Sequence, residues 1–220
     1  MMERRGVGRF PGAQGRIPNY VGAERAADLL AQLEEWKGAS VVKANPDAPQ
    51  LPVRARALED SKLLYMAVPR LREVKPFIRL DPRQVTGRWR SAASIKGAAE
   101  LGHPVSVGRM HHVDLVVCGS VAVNMKGARI GKGGGFSDIE FALLTEAGLI
   151  DRKTVVATTV HPLQLLDEDL PETAHDFRVD LIVTPDDVIR APGAKRPKGI
   201  IWSEMDEEKV AQIPVLRPLC

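Results

Sequence analysis

At 220 residues the chain holds about one to one and a half typical domains and is long enough to bury a full core. Its 44% hydrophobic and 27% charged residues fit a soluble globular protein, and a net charge of +3 is too small to argue for nucleic acid. No apolar run reaches the roughly eighteen residues of a membrane span, and Met1-Met2-Glu3-Arg4-Arg5-Gly6 has no apolar stretch behind it to make a secretory signal, so the cytoplasm is the expected location.

Residues 1–20 are rich in Gly, Arg and Pro and are expected to be an irregular extension. From Glu24, the residues Ala26, Leu29, Leu30, Leu33 and Trp36 fall at helical spacing and predict one amphipathic helix. Val41-Val42 reads as a short strand closed by the turn Asn45-Pro46-Asp47. A helix is expected from about Gln50 to Asp60, then a buried strand over Leu63–Val68. The Arg- and Pro-dense stretch Arg70–Arg90 offers only Phe77–Leu80 as a strand, and Ile95–Leu101 as a short helix follows it. Further short β-branched runs stand at Val105–Val107, Val113–Val117, Val155–Thr159 and Leu181–Val183. A helix over Asp138–Ala147, ending at Gly148, separates two of them. Strands alternating with helices predict a sheet covered on both faces. Residues 191–220 read as a tail with the basic stretch Ala191–Lys198, a short helix at Asp206–Gln212, and Trp202 docking it on the body. Of the two cysteines, Cys118 reads as a small core residue and Cys220 as an exposed thiol.

The segment Gly131-Lys132-Gly133-Gly134-Gly135-Phe136-Ser137-Asp138 stands directly before a predicted helix. Glycines let backbone N–H groups turn toward a ligand, and N–H groups beside a helix N-terminus make an anion site, to which Lys132 adds a mobile charge. A flexible surface loop is the other reading of the same composition. A Walker A loop is excluded because Gly133 follows Lys132 where Ser or Thr is needed, and the dinucleotide fingerprint because Phe136 stands where glycine is needed. Ser137 and Glu140 have the spacing of a capping box.

What remains, Arg129-x-Gly131-x-Gly133-x-Gly135-Phe136-x-Asp138, resembles the signature loop of the 5-formyltetrahydrofolate cyclo-ligase family, also called methenyltetrahydrofolate synthetases. Val113–Ala122, His161-Pro162-Leu163-Gln164, Leu170-Pro171-Glu172 and Asp176 with Val179–Pro185 resemble other family segments in the same order, covering roughly residues 40 to 190. The segments Arg16–Ala23, Val42–Asp47 and Gly131–Asp138 are similar to a divergent branch, the methenyltetrahydrofolate synthetase domain-containing proteins.

The resemblance implies a single three-layer α/β/α domain over 21–190 with a mostly parallel, partly mixed sheet, its cleft at the C-terminal ends of strands. It implies an ATP- and magnesium-dependent ligase that phosphorylates the formyl oxygen of 5-formyltetrahydrofolate, after which N10 attacks and 5,10-methenyltetrahydrofolate forms. By the same resemblance Lys132 and the loop Gly131, Gly133, Gly134 and Gly135 cradle the ATP phosphates, and Asp138 holds magnesium, its other reading being a helix N-terminal carboxylate. Arg129 reaches a phosphate or makes a structural ion pair. Phe136 lines a pterin or adenine pocket or packs in the core. His161 and Gln164 contact nucleotide or substrate. Asp47 falls near the family's substrate-binding glutamate, and a carboxylate suits the paired N–H donors of a pterin, although Asn45-Pro46-Asp47 is equally a turn.

The chain departs from the family pattern at Ser137, which replaces a tyrosine, at Ile139, which replaces an arginine, and in lacking an N-terminal helix with K-x-x-x-R before Arg16. These departures keep open a non-catalytic or regulatory nucleotide- or folate-binding protein, or an enzyme acting on another substrate. RNA binding through Arg70–Arg90 and a zinc site among His111, His112, Asp114, His161, His175 and Asp176 are the lesser readings.

Overall fold

Short runs of Val, Ile and Leu bounded by turn residues form the strands of this protein in a computed structural model that describes residues 2–192 and 195–217. The order begins α1 (Ala23–Gln32), α2 (Glu34–Gly38), β1 (Val41–Ala44), α3 (Leu51–Glu59), β2 (Leu63–Ala67) and β3 (Phe77–Leu80). Next come α4 (Trp89–Ala92), α5 (Ile95–Leu101), β4 (His103–Val105), β5 (Leu115–Cys118), β6 (Ala122–Asn124) and β7 (Arg129–Ile130). The chain closes with α6 (Phe136–Glu146), β8 (Val155–Thr159), β9 (Leu165–Leu166), β10 (Leu181–Val183), β11 (Val188–Arg190) and α7 (Glu207–Gln212). Cys220 and two residues of the basic linker, 193 and 194, lie outside the described residues.

Eight strands form one sheet in the order β11-β10-β8-β5-β1-β2-β3-β4. The central five, β10 to β2, run parallel, and β11, β3 and β4 are antiparallel additions at its edges. Alternate side chains feed two apolar layers. Val42, Ala44, Leu64, Met66, Leu115 and Val117 pack under α1, α3, α4 and α5. Tyr65, Val116, Cys118, Val156 and Ile182 pack under α6 on the other face. The mostly parallel, partly mixed α/β architecture expected from the sequence is therefore present. No helix among the described residues is long and apolar enough to cross a membrane.

Four local expectations are corrected. The first helix is two, because Leu33 is extended (φ −75°, ψ 150°), and this break lets Trp36 bury and donate its indole N–H to Asp60 at 2.8 Å. The strand expected at Val105–Val107 ends at Val105, where a 3-10 turn over Val107–Arg109 begins. The strand expected at Val113–Val117 begins instead at Leu115, as β5 of the large sheet, and the chain beyond it enters a separate sheet of order β7-β6-β9. The tail is anchored by fully buried Ile213 and Leu216, while Trp202 is left 36% exposed.

Candidate functional site

The parallel strands β1, β5 and β8 all release their chains on one edge of the sheet, and the first of these exits carries Asn45-Pro46-Asp47. Arg54 of α3 fixes this turn. Its guanidinium is buried, donates to the carbonyls of Asn45 and Asp47 (the latter at 3.0 Å), and donates through Nε to Ala93 O at 2.8 Å. Burial lowers its pKa to about 10, against the pull of Asp47, so it remains charged and tied to three backbone acceptors. Gln50 donates to Thr159 Oγ1 at 3.1 Å, and its Oε1 is buried without a partner.

At the exit of β5 stands Gly119, where a Cβ would lie 2.9 Å from Ile17 Cγ1, 3.0 Å from Asp47 Oδ2 and 3.1 Å from Gln50 Oε1. Any side chain there would have to displace two acceptors that face the same small space.

The glycine loop is delivered by the small sheet. β6 and β7 pair antiparallel, the chain passes through Gly133 (φ +84°) and Gly135 (φ +64°), and α6 begins at Phe136 with Gly135 as its N-cap. The left-handed backbone at these two positions requires glycine, and it leaves the first N–H groups of an eleven-residue helix without a side-chain cap. The proposed Ser137–Glu140 capping box is therefore not formed. Ser137 lies inside the helix and accepts from Asn45 Nδ2 at 3.3 Å, and Glu140 turns inward to a buried ion pair with Lys43 at 2.5 Å.

Lys132 reaches from the loop to Asp47, Nζ to Oδ1 at 2.8 Å, so the loop and the β1 turn meet. Arg129 and Asp138 pair at 2.6 Å, and the Arg129 guanidinium lies 4.1 Å from the Phe177 ring centroid. Burial raises the Asp138 pKa and Arg129 opposes that rise. Asp138 is also in the first turn of α6, the position of a helix N-terminal carboxylate. Phe136 is half-buried and packs against the apolar layer beneath α6.

Behind the loop is a cavity of about 360 Å³ lined by Arg129, Gly131, Gly133, Gly135 and Asp138, and on the far wall by tail residues including Met205 and Lys209. Lys132 and Asp47 do not line it. A wider groove of about 540 Å³ runs between α1, α3 and the start of α4, on the face of the sheet opposite α6.

His161 and Gln164 follow β8 and are held by one another's turn. His161 Nδ1 accepts from Leu163 N at 3.1 Å, Gln164 Oε1 accepts from His161 N at 2.9 Å, and Gln164 Nε2 donates to Ser120 O at 2.8 Å. Burial lowers the His161 pKa and so favours the neutral ring, whose Nδ1 accepts from Leu163 N and whose proton is then on Nε2, and Tyr20 meets it edge-on at 5.9 Å. Gln164 ties the β8 exit to the Ser120–Val121 link before β6, and neither side chain is in contact with Lys132 or Asp138. Elsewhere, His111 accepts or donates at 2.8 Å to Tyr65 Oη, and His175 faces Glu204 at 3.1 Å. Sequence reasoning missed Gln50, Arg54, Lys43 and Lys209. A lysine inside the apolar strand Val41-Val42-Lys43-Ala44 was a usable signal for Lys43; the other three depend on tertiary placement.

Comparison with known proteins agrees with this architecture. The chain is 41% identical over 225 residues to the methenyltetrahydrofolate synthase domain-containing proteins of Bos taurus and of Mus musculus. These alignments take in 99% of the chain but only 58% and 60% of the relatives' own lengths. The solved structure of Aquifex aeolicus 5,10-methenyltetrahydrofolate synthetase has the same fold, with a TM-score of 0.52 at 22% identity over 79% of this chain and 83% of that one. The 5-formyltetrahydrofolate cyclo-ligase family matches residues 2–185, a span that includes the β1 turn, Gly119 and the whole glycine loop, and the chain belongs to that family.

Proposed function

We propose that this protein is an ATP- and magnesium-dependent ligase acting on a reduced folate, with 5-formyltetrahydrofolate as the substrate and 5,10-methenyltetrahydrofolate as the product. The observation that carries the reading is the 2.8 Å pair between Lys132 and Asp47, which brings a loop suited to phosphate against a turn suited to a pterin. ATP, when bound, supplies the phosphoryl group that activates the formyl oxygen.

The residues fit these groups. Uncapped N–H donors at the start of α6, two left-handed glycines and the mobile Lys132 would hold phosphate and stabilise charge on the transferred group, the main source of rate in such reactions. Asp138, with one oxygen on Arg129, would offer magnesium a carboxylate beside the phosphate oxygens, a sufficient protein contribution for that ion. Asp47, which gives only Oδ1 to Lys132, would accept an N–H donor of a pterin. His161 and Gln164 would act here by fixing the wall of the crevice. Purified protein given ATP, magnesium and 5-formyltetrahydrofolate is expected to generate the absorbance of the methenyl product, and folded protein that generates none rejects this substrate.

A second reading is favoured by Ile139, which is buried in the apolar layer and leaves the position after Asp138 without a charge for the loop. On that reading the protein binds nucleotide or folate without turnover. Calorimetric binding of ATP together with an absence of both ATP hydrolysis and methenyl product would select it.

A further inference from the structure

The carboxylates that line the cavity behind the glycine loop are already engaged. Asp138 is paired with Arg129, Asp176 accepts from Thr173, Glu204 faces His175, and Asp206 caps α7 by accepting from Glu208 N at 3.0 Å. The cations are not balanced in the same way. Lys209 has no carboxylate partner among the described residues, and the Nε of Arg129, a residue only 5% exposed, has no hydrogen-bond partner. Lys209 Nζ stands 5.9 Å from the centroid of the Phe136 ring and 3.2 Å from where a Cβ on Gly135 would lie. It is therefore held at the N-terminus of α6, where the helix itself presents roughly half a positive charge. Two positive ends brought together across a half-enclosed cavity repel each other, and a bridging anion removes that cost.

The segment that brings Lys209 there is firmly seated. Ile213 and Leu216 are fully buried, Ile200 N donates to Glu146 at 2.9 Å, and Arg196 pairs with Asp180 at 2.5 Å. It also lies beyond residue 185, where the family match ends. We infer that the tail is part of the binding site and that Lys209 is a phosphate-binding residue, closing the glycine loop over a polyphosphate from the side opposite its own backbone. This rests on the phosphate reading of the loop.

The test is calorimetry of the full chain with ATP, with inorganic tripolyphosphate and with adenosine. Lys209→Ala is expected to weaken ATP and tripolyphosphate about tenfold, the loss of one charge-assisted contact, with melting temperature unchanged. Lys209→Arg should retain most of the affinity because the charge is kept. The backbone amides of α7 should gain hydrogen-exchange protection when tripolyphosphate is added, but not with adenosine. If Lys132→Ala weakens tripolyphosphate binding and Lys209→Ala does not, the tail inference falls and the loop reading stands. If the wild-type chain binds neither ATP nor tripolyphosphate, both fall.

Discussion

On one face of the large sheet, α1, α3, α4 and α5 cover Val42, Ala44, Leu64, Met66, Leu115 and Val117 with aliphatic side chains and alanines. On the other, α6 brings Glu140 onto Lys43 and Asp138 onto Arg129, two ion pairs set into an otherwise apolar layer. The same strands serve both faces, since Val42 and Lys43 are neighbours in β1. The first face is mostly packing, although Arg54 of α3 also ties backbone carbonyls of the Asp47 turn. The second also has to hold the glycine loop at a fixed height over the strand ends, and directed polar contacts set a register that interchangeable apolar ones do not. A buried pair is weak evidence for stability, because desolvation offsets most of the Coulomb attraction. Its value here is positional: Lys43 also donates to Asn45 at 2.7 Å, and Asn45 donates to Ser137, so one network links the Asp47 turn to the first turn of α6.

The largest expected effect tests that network. Lys43→Met leaves the Glu140 carboxylate buried without its partner and should cost about 3–5 kcal/mol in denaturant unfolding. Adding Glu140→Leu should recover most of it while ATP affinity stays low, because the register is lost. A single variant within about 1 kcal/mol of wild type would remove the distinction between the faces.

On the first face, Leu64→Ala should cost about 3 kcal/mol through lost burial and a cavity, and leave ATP affinity unchanged in the folded fraction. An affinity loss there would mean that the two faces are not separable. Lys132→Ala inverts this profile, with ATP binding about ten- to a hundredfold weaker and melting temperature hardly altered, since the side chain is 48% exposed.

The smallest effect lies at a site remote from the loop. Asp81 accepts from Arg83 through both backbone and guanidinium, and these bonds lower its pKa to about 2. A depressed carboxylate stabilises the fold above its unfolded pKa, and that contribution disappears as pH falls through the folded value. Because Arg83 is exposed, Asp81→Asn should cost about 1 kcal/mol at pH 7, with the difference from wild type closing between about pH 4 and pH 2. A difference independent of pH would assign the effect to the lost backbone cap instead.

The five parallel strands were legible in the sequence because each carries adjacent β-branched or leucine residues between turn signals, and β1 holds Val41-Val42 even though Lys43 interrupts it. The glycine loop was legible for the opposite reason, since left-handed backbone leaves few residue choices. The break at Leu33 was not, because helical spacing continues through it and only the tertiary bond from Trp36 to Asp60 selects two helices. The small sheet was missed because β7 and β9 have two residues each, too short for any periodicity. Glu140 was misread as half of a capping box because the spacing is right, and the competing partner, Lys43, is 97 residues away. The Lys132–Asp47 meeting joins residues 85 apart and was equally invisible.

That meeting has a thermodynamic consequence. Lys132 pairs with one Asp47 oxygen, so an anion that draws the lysine to itself leaves the carboxylate open to a second ligand. If ATP and a folate bind as proposed, two ligands that exchange one lysine are linked, and the factor by which ATP improves folate affinity equals the factor by which folate improves ATP affinity. A half-exposed ion pair is worth at most about 1 kcal/mol, so this factor should not exceed about fivefold, and it should vanish in Lys132→Ala. Competition and cooperation at this crevice thus depend on where a single ammonium group rests.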